Sequence, residues 1–187
     1  MIMCTFKKIC VTNRHLTDRS LYEQLKIVFV ISKPDIVILR EKDLSEDEYR
    51  ELAYKVKLLC DLYSVRLIVS KYYKIACELG TAVQLSIIDY ESNIESLDGL
   101  KPWVSVHSLQ EAIRAEESSA NAIIAGHIYE TDCKRGLPGR GIDFLTSIIE
   151  QVDIPVYAIG GIDELNIEEV ASAGASGACQ MSYYMKL

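Results

Sequence analysis

The chain reads as a closed (β/α)8 barrel, and three observations predict it. Short β-rich apolar runs alternate with longer segments of helical period along the whole length, which implies parallel strands joined by crossover helices. The apolar runs number eight, the count that closes such a barrel. The rival is an open doubly wound sheet of about five to seven strands, whose nucleotide-binding form wants a glycine fingerprint after strand one. Here that strand runs into "TNRHLTDRS", which has no glycine. At 187 residues, 49% of them apolar, the chain is long enough for one barrel domain spanning 1–187 with a sizeable core.

The N-terminal stretch "MIMCTFKKICVTNR" is apolar only in short pieces, with Lys7 and Lys8 in its middle. It lacks the long apolar region and small-residue cleavage site of a signal peptide, so it reads as a first strand, 7–12, in a cytoplasmic protein. Helical period follows over 20–31, then the strand "DIVIL" at 35–39. The helix at 45–63 opens on Ser45 with Glu48 three residues on, a capping box in which each side chain satisfies an orphan backbone N–H. "RLIVS" at 66–70 is the third strand, 72–80 the third helix and "AVQLS" at 82–86 the fourth strand. The next connection, "DYESNIESLDGLK", is irregular and is expected to hold only a turn of helix.

"WVSVH" at 103–107 is the fifth strand, and Ser108 with Glu111 forms a second capping box opening a helix over 108–117. "AIIAG" at 122–126 leads into a long loop and a helix over 141–152. The strand at 155–160 is followed by a helix over 164–174 that stops at Gly174, then by the eighth strand, 177–181. What remains, "SYYMKL", is too short for a normal closing helix. The eighth helix is therefore expected to be short or missing. That leaves a flank between the first and seventh helices uncovered, and a homodimer is expected there, with Tyr183, Tyr184 and Met185 as contributors.

A net charge of −7 argues against nucleic acid and anionic membrane surfaces as partners, and no segment approaches transmembrane length. The six cysteines form no C-x-x-C pair and read as buried free thiols, with no clustered set of zinc ligands.

In a barrel of this kind the chemistry sits at the C-terminal ends of the strands. Strand two ends in Arg40, Glu41, Lys42 and Asp43, strand three in Ser70 and Lys71, strand four in Gln84, Ser86 and Asp89. Glu41 and Asp43 fit acid/base groups, metal ligands or a charged approach to the next helix, the last being the default. Strand five ends in His107 and Ser108. An unperturbed imidazole titrates near pH ~6.5 and can move protons, while a structural histidine is the competing explanation. His127 after strand six is a second candidate, and His15 lies in the first loop as a solvated residue. Gly160-Gly161 ends strand seven, where glycines let backbone N–H groups approach an anion; with Ser182 they mark a phosphate site, and a plain tight turn is the alternative. The loop after strand six carries Thr131, Lys134, Arg135 and Arg140 among Gly136, Pro138, Gly139 and Gly141, the composition of a clamp over a ligand.

Together these residues resemble the thiamine phosphate synthase/TenI superfamily over almost the whole chain. "VILREKDLSEDEYRELA" resembles its second-strand motif, and "IPVYAIGGI" with "ASAGASGA" its phosphate region. "VSVHSLQEAIRAEESSANAIIAGHIYETDCKRGLPGRG" resembles the TenI branch, the thiazole tautomerases. That branch implies an isomerase that aromatises a carboxythiazole phosphate without metal or other cofactor. His107 would be its proton shuttle and Gly160, Gly161, Met181 and Ser182 its phosphate anchor. Arg40 and Lys42 would hold the substrate carboxylate or stabilise developing negative charge, with Thr131 and Lys134 as further substrate contacts.

The synthase branch is the alternative. It couples hydroxymethylpyrimidine pyrophosphate to thiazole phosphate and needs Mg²⁺. Its motifs have a glutamine where Ile38 stands, an Asn-Asp pair where Ser70-Lys71 stands and a threonine where Cys133 stands, and Asp89 alone keeps a metal-binding aspartate. These departures are read as cutting against pyrophosphate chemistry. A non-catalytic thiazole-phosphate binder is the third possibility.

Overall fold

The structure, a computed structural model, describes residues 6–187. Its strands are β1 (Lys7–Val11), β2 (Ile36–Leu39), β3 (Arg66–Ser70), β4 (Ala82–Ser86), β5 (Pro102–Val106), β6 (Ala122–Gly126), β7 (Val156–Ile159) and β8 (Gly177–Gln180). They pair in parallel in chain order, and β8 closes on β1 to complete the barrel. The helices are α1 (Leu21–Ile31), α2 (Glu46–Tyr63), α3 (Tyr73–Leu79), α4 (Ile87–Asn93), α5 (Leu109–Glu117), α6 (Gly141–Ile149), α7 (Ile167–Ser172) and α8 (Ser182–Met185). None of the described helices is long and apolar enough to cross a membrane.

Side chains alternate along each strand, so one set points into the barrel and the other toward the helices. The inward set, which includes Ile9, Val11, Ile36, Ile38, Ile68, Ile124 and Cys179, fills the barrel as a packed core. Trp103 and Tyr157 stack across it with ring centroids 4.3 Å apart. The outward set, such as Cys10, Val37, Leu39, Val69 and Val104, packs beneath the helices. Cys10, Cys60 and Cys179 are buried free thiols, as expected, whereas Cys77 is exposed. Burial pushes the Cys60 thiol up to about 12, so it stays protonated and inert. Cys4 and the side chain of Cys133 lie outside the described residues.

The caps differ in detail from the sequence expectation. Ser45 and Glu48 form the full reciprocal box, and so do Ser20 and Glu23 at the start of α1. Ser108 accepts from Glu111 N, but the Glu111 carboxylate reaches past it to the backbone N–H of His107, at 2.5 Å. The connection expected to hold a single turn contains α4. Ser86 starts that helix by accepting from Asp89 N at 3.1 Å, and buried Ile87 and Tyr90 anchor it to the core.

The end of the barrel corrects the expected uncovered flank. Tyr184 and Met185 of α8 are buried within the chain. Gln24 of α1, itself buried, donates from Nε2 to Tyr184 O at 2.8 Å, so four residues of helix do the covering. The seam beside it tolerates no side chain at Gly177, since a Cβ there would lie 2.3 Å from Lys7 O.

Two stability predictions follow from this closure, both read by urea denaturation. Gly177→Ala should cost about 2 kcal/mol, because the clash falls on backbone that cannot move without opening the β1–β8 ladder. The Tyr184 hydroxyl is buried without a hydrogen-bond partner. Tyr184→Phe should therefore raise stability by about 1 kcal/mol, while Tyr184→Ala should lower it by about 3 kcal/mol. Equal losses in both variants would mean that the hydroxyl is satisfied in solution.

Candidate active site

At the mouth of the barrel the inward set turns from apolar to polar. Ser70 follows Ile68 by two residues and Ser105 follows Trp103 by two, so both face inward beside Gln84. Ser70 Oγ donates to Gln84 Oε1 at 2.6 Å, and Gln84 Nε2 donates to Ser105 Oγ at 2.9 Å. This chain runs across the ends of β3, β4 and β5. Ser105 was missed as a site candidate, although its parity with Trp103 would have marked it.

The end of β2 is built around Glu41, a buried carboxylate. Thr12 Oγ1 donates to Glu41 Oε1 at 2.7 Å, and the Arg14 backbone N–H donates to both of its oxygens, at 3.2 and 3.1 Å. The Thr12 hydroxyl in turn accepts from Arg40 N at 2.9 Å. Glu41 thus clamps the first loop to the second strand, rather than serving as a charged approach to α2. Arg14 also grips Asp43 in a fork, Nη1 to Oδ1 at 2.7 Å and Nη2 to Oδ2 at 2.5 Å, and the guanidinium holds the Asp43 carboxyl well below the usual carboxylate range. His15 Nε2 reaches the same carboxylate at 3.0 Å, so it is exposed but not merely solvated. Arg40 and Lys42 flank the clamp on either side of Glu41, half-buried and exposed respectively.

His107 lies just past β5, exposed at the mouth. Its Nδ1 is 2.7 Å from Gly126 O, and a carbonyl only accepts, so Nδ1 carries a proton, which in a neutral ring leaves Nε2 as the acceptor. With Glu111 holding its backbone N–H, the residue is fixed from both sides. His127 is buried under the loop that follows it, with Nε2 3.4 Å from Leu137 O.

Gly160 and Gly161 adopt left-handed conformations, with φ of 105° and 66°. Any Cβ would collide with the loop after β6: at Gly160 with His127 Cβ at 2.4 Å, at Gly161 with Glu130 O at 2.4 Å. Close backbone contact therefore explains both glycines. The helix that follows, α7, begins only at Ile167, so the glycines do not open a helix directly. Pairing of Ile159 with Cys179 brings Gly160-Gly161 beside Met181 and Ser182, the latter at the start of α8. Thr131 and Lys134 line a separate open pocket of ≈ 580 Å³ within the loop after β6, with Glu130, Arg135 and Leu137. A larger cavity of ≈ 770 Å³ opens at the opposite, N-terminal face around Arg66, Lys101 and Trp103, the end that ordinarily serves stability in this fold.

The fold and the mouth geometry can be set beside known proteins. A family model described as thiamine monophosphate synthase matches residues 9–183. A thiamine-phosphate synthase of Pyrococcus abyssi is 33% identical over 175 residues, 91% of this chain and 84% of that protein. One of Clostridium acetobutylicum is 32% identical over 182 residues, 95% of this chain and 86% of that protein. A solved thiamine phosphate pyrophosphorylase from Pyrococcus furiosus matches with a TM-score of 0.84 at 27% identity, covering 97% of this chain and 88% of the other.

These matches overturn the expectation of a tautomerase. The relatives carry a transferase's name, not an isomerase's, despite the departures at Ile38, Lys71 and Cys133. The physical reason for the misreading lies in "VSVHS": Ser108 and Glu111 cap α5, and the His107 ring bridges β5 to β6, so the motif has an architectural role that does not require a proton shuttle. Matched from residue 9 to residue 183, the chain belongs to the thiamine monophosphate synthase family, within the thiamine phosphate synthase/TenI superfamily.

Proposed function

We propose that the chain is a thiamine-phosphate synthase, a transferase that couples hydroxymethylpyrimidine pyrophosphate to thiazole phosphate and releases pyrophosphate. The observation that carries this reading is the 33% identity, over 91% of the chain, to a relative bearing that name. In the reaction the bond from the pyrimidine's methylene carbon to the diphosphate oxygen breaks, and the diphosphate leaves with the electron pair. A new bond forms to that carbon from the thiazole ring nitrogen. The chain's task is to hold two anions and align the two rings.

In this reading Gly160, Gly161, Met181 and Ser182 anchor the thiazole phosphate. Their adjacency on β7 and β8 supports that role, as does the recurrence of a phosphate site after these strands in the barrel fold. Arg40 and Lys42 contact the pyrophosphate, whose multiple negative charges call for cations, while Thr131 and Lys134 offer a hydroxyl donor and a further cation from the loop after β6. His107, protonated at Nδ1, offers Nε2 as an acceptor that orients a substrate donor. Glu41 touches neither substrate and positions Arg40 through Thr12.

Incubation with both substrates should yield thiamine phosphate and one equivalent of pyrophosphate, read by chromatography and a phosphate-release assay. No product at saturating concentrations of both would sink the reading. Glu41→Gln replaces an acceptor-only group by an amide that must turn one N–H toward donors. It should lower kcat/KM by about tenfold, mostly through KM for the pyrimidine pyrophosphate, and lower Tm by a few degrees. A fall in Tm with kcat/KM unchanged would make the clamp purely structural.

A further inference from the structure

The synthase branch that this chain resembles uses Mg²⁺, and the donors present can be tested against that ion. Mg²⁺ demands hard oxygen ligands in near-octahedral array, chiefly carboxylates. At the end of β3, where the resemblance calls for an aspartate, stands Lys71. The matching carboxylate after β4, Asp89, is used locally: its Oδ2 accepts from Ser86 Oγ at 2.7 Å, as part of the cap of α4. Among the described residues no group of three His, Cys, Asp or Glu side chains could hold a metal. Of the acids at the end of β2, Glu41 already accepts from Thr12 and Arg14, and Asp43 is gripped by the Arg14 guanidinium. The donor set does not fit Mg²⁺.

Lys71 is itself held in an unusual way. Its φ is 72°, a left-handed conformation that costs a lysine about 1 kcal/mol and that asparagine or aspartate adopts more readily. The turn is secured by Lys71 N–H donating to Gln84 O at 2.8 Å, and by Tyr72 N–H donating to Ser70 O at 2.9 Å. Behind it Tyr49 ties the two strand ends together, donating to Leu39 O at 2.5 Å and accepting from Ser70 N at 3.0 Å. The ammonium rests 5.0 Å from the Tyr72 ring centroid. Because β3 pairs with β2 through Leu39 and Val69, this cation stands on the strand end next to that of Arg40 and Lys42. A cation therefore stands at the strand end where the resemblance calls for a metal-binding aspartate.

We propose that this chain binds the diphosphate of its substrate without a divalent metal, through side-chain cations that include Lys71. The inference rests on the synthase reading for the identity of the ligand. Inorganic pyrophosphate is the probe, titrated calorimetrically into the full chain in excess EDTA and again in excess Mg²⁺. Binding in EDTA should match binding in Mg²⁺ within about threefold. Lys71→Ala should weaken binding in EDTA by about tenfold, and Lys71→Arg should hold within about threefold of wild type.

Binding by the wild type only when Mg²⁺ is present would overturn the proposal, and so would a Lys71→Ala variant that binds as tightly as wild type in EDTA. Equal losses in Lys71→Arg and Lys71→Ala would overturn it too, since charge would then not be the cause. The wild-type comparison stands even if a variant fails to fold, which circular dichroism would detect. Turnover separates this inference from the functional reading. Thiamine phosphate formed only with Mg²⁺ refutes the metal-free site and keeps the synthase. Metal-independent pyrophosphate binding with no product under either condition does the reverse.

Discussion

A parallel sheet leaves a row of unpaired N–H and C=O groups at each edge, and in this chain the pairing of β8 with β1 removes both edges at once. Lys7, Lys8, Ile9 and Cys10 lie opposite Gly177, Ala178, Cys179 and Gln180, and the bare glycine lets the two backbones meet. Everything at the mouth inherits its position from that closure. Once the ladder is a ring, period-two alternation makes every inward residue part of one core and every final inward residue part of one rim.

The rim combines two kinds of group. One kind holds the scaffold: Glu41 with Thr12 and Arg14, Tyr49 between β2 and β3, the His107 ring between β5 and β6, and the collision-tight glycines under the loop after β6. The other kind comprises the inward-facing Ser70–Gln84–Ser105 chain, with cations at the ends of β2 and β3. The first kind lets the second stand on strand ends rather than on loops, which is the preorganisation that a displacement between two anionic substrates needs.

Much of this was readable from residue order. All eight strands and six of the helices follow from periodicity, because a buried parallel strand and an amphipathic helix each leave a local pattern. The sequence leads one to expect only a turn of helix after β4 and an eighth helix that is short or missing; α8 is indeed four residues long, while α4 is longer than a turn, and both lack that pattern. Helix α4 is set by a Ser86–Asp89 cap and two buried anchors, and α8 by a buried Gln24 more than a hundred and fifty positions away. "VSVHS" misled for a related reason. A histidine at a strand end has the same spelling whether it moves protons or bridges two strands, and the carbonyl of Gly126, nineteen residues on, shows that this one does bridge.

The sequence by itself determined the alternation, the strand count and hence the closed barrel and its active face, since these depend on local hydrophobic period and chain order. It also carried the family in its Arg-Glu-Lys and Gly-Gly motifs. Only the tertiary structure decided which acid is a clamp, that Asp89 is spent on a helix cap, that Lys71 is held in a left-handed turn beside the end of β2, and that Tyr184 and Met185 are covered. Each of those depends on which groups meet across the ring, and a partner distant in the chain leaves no period in the sequence to reveal it.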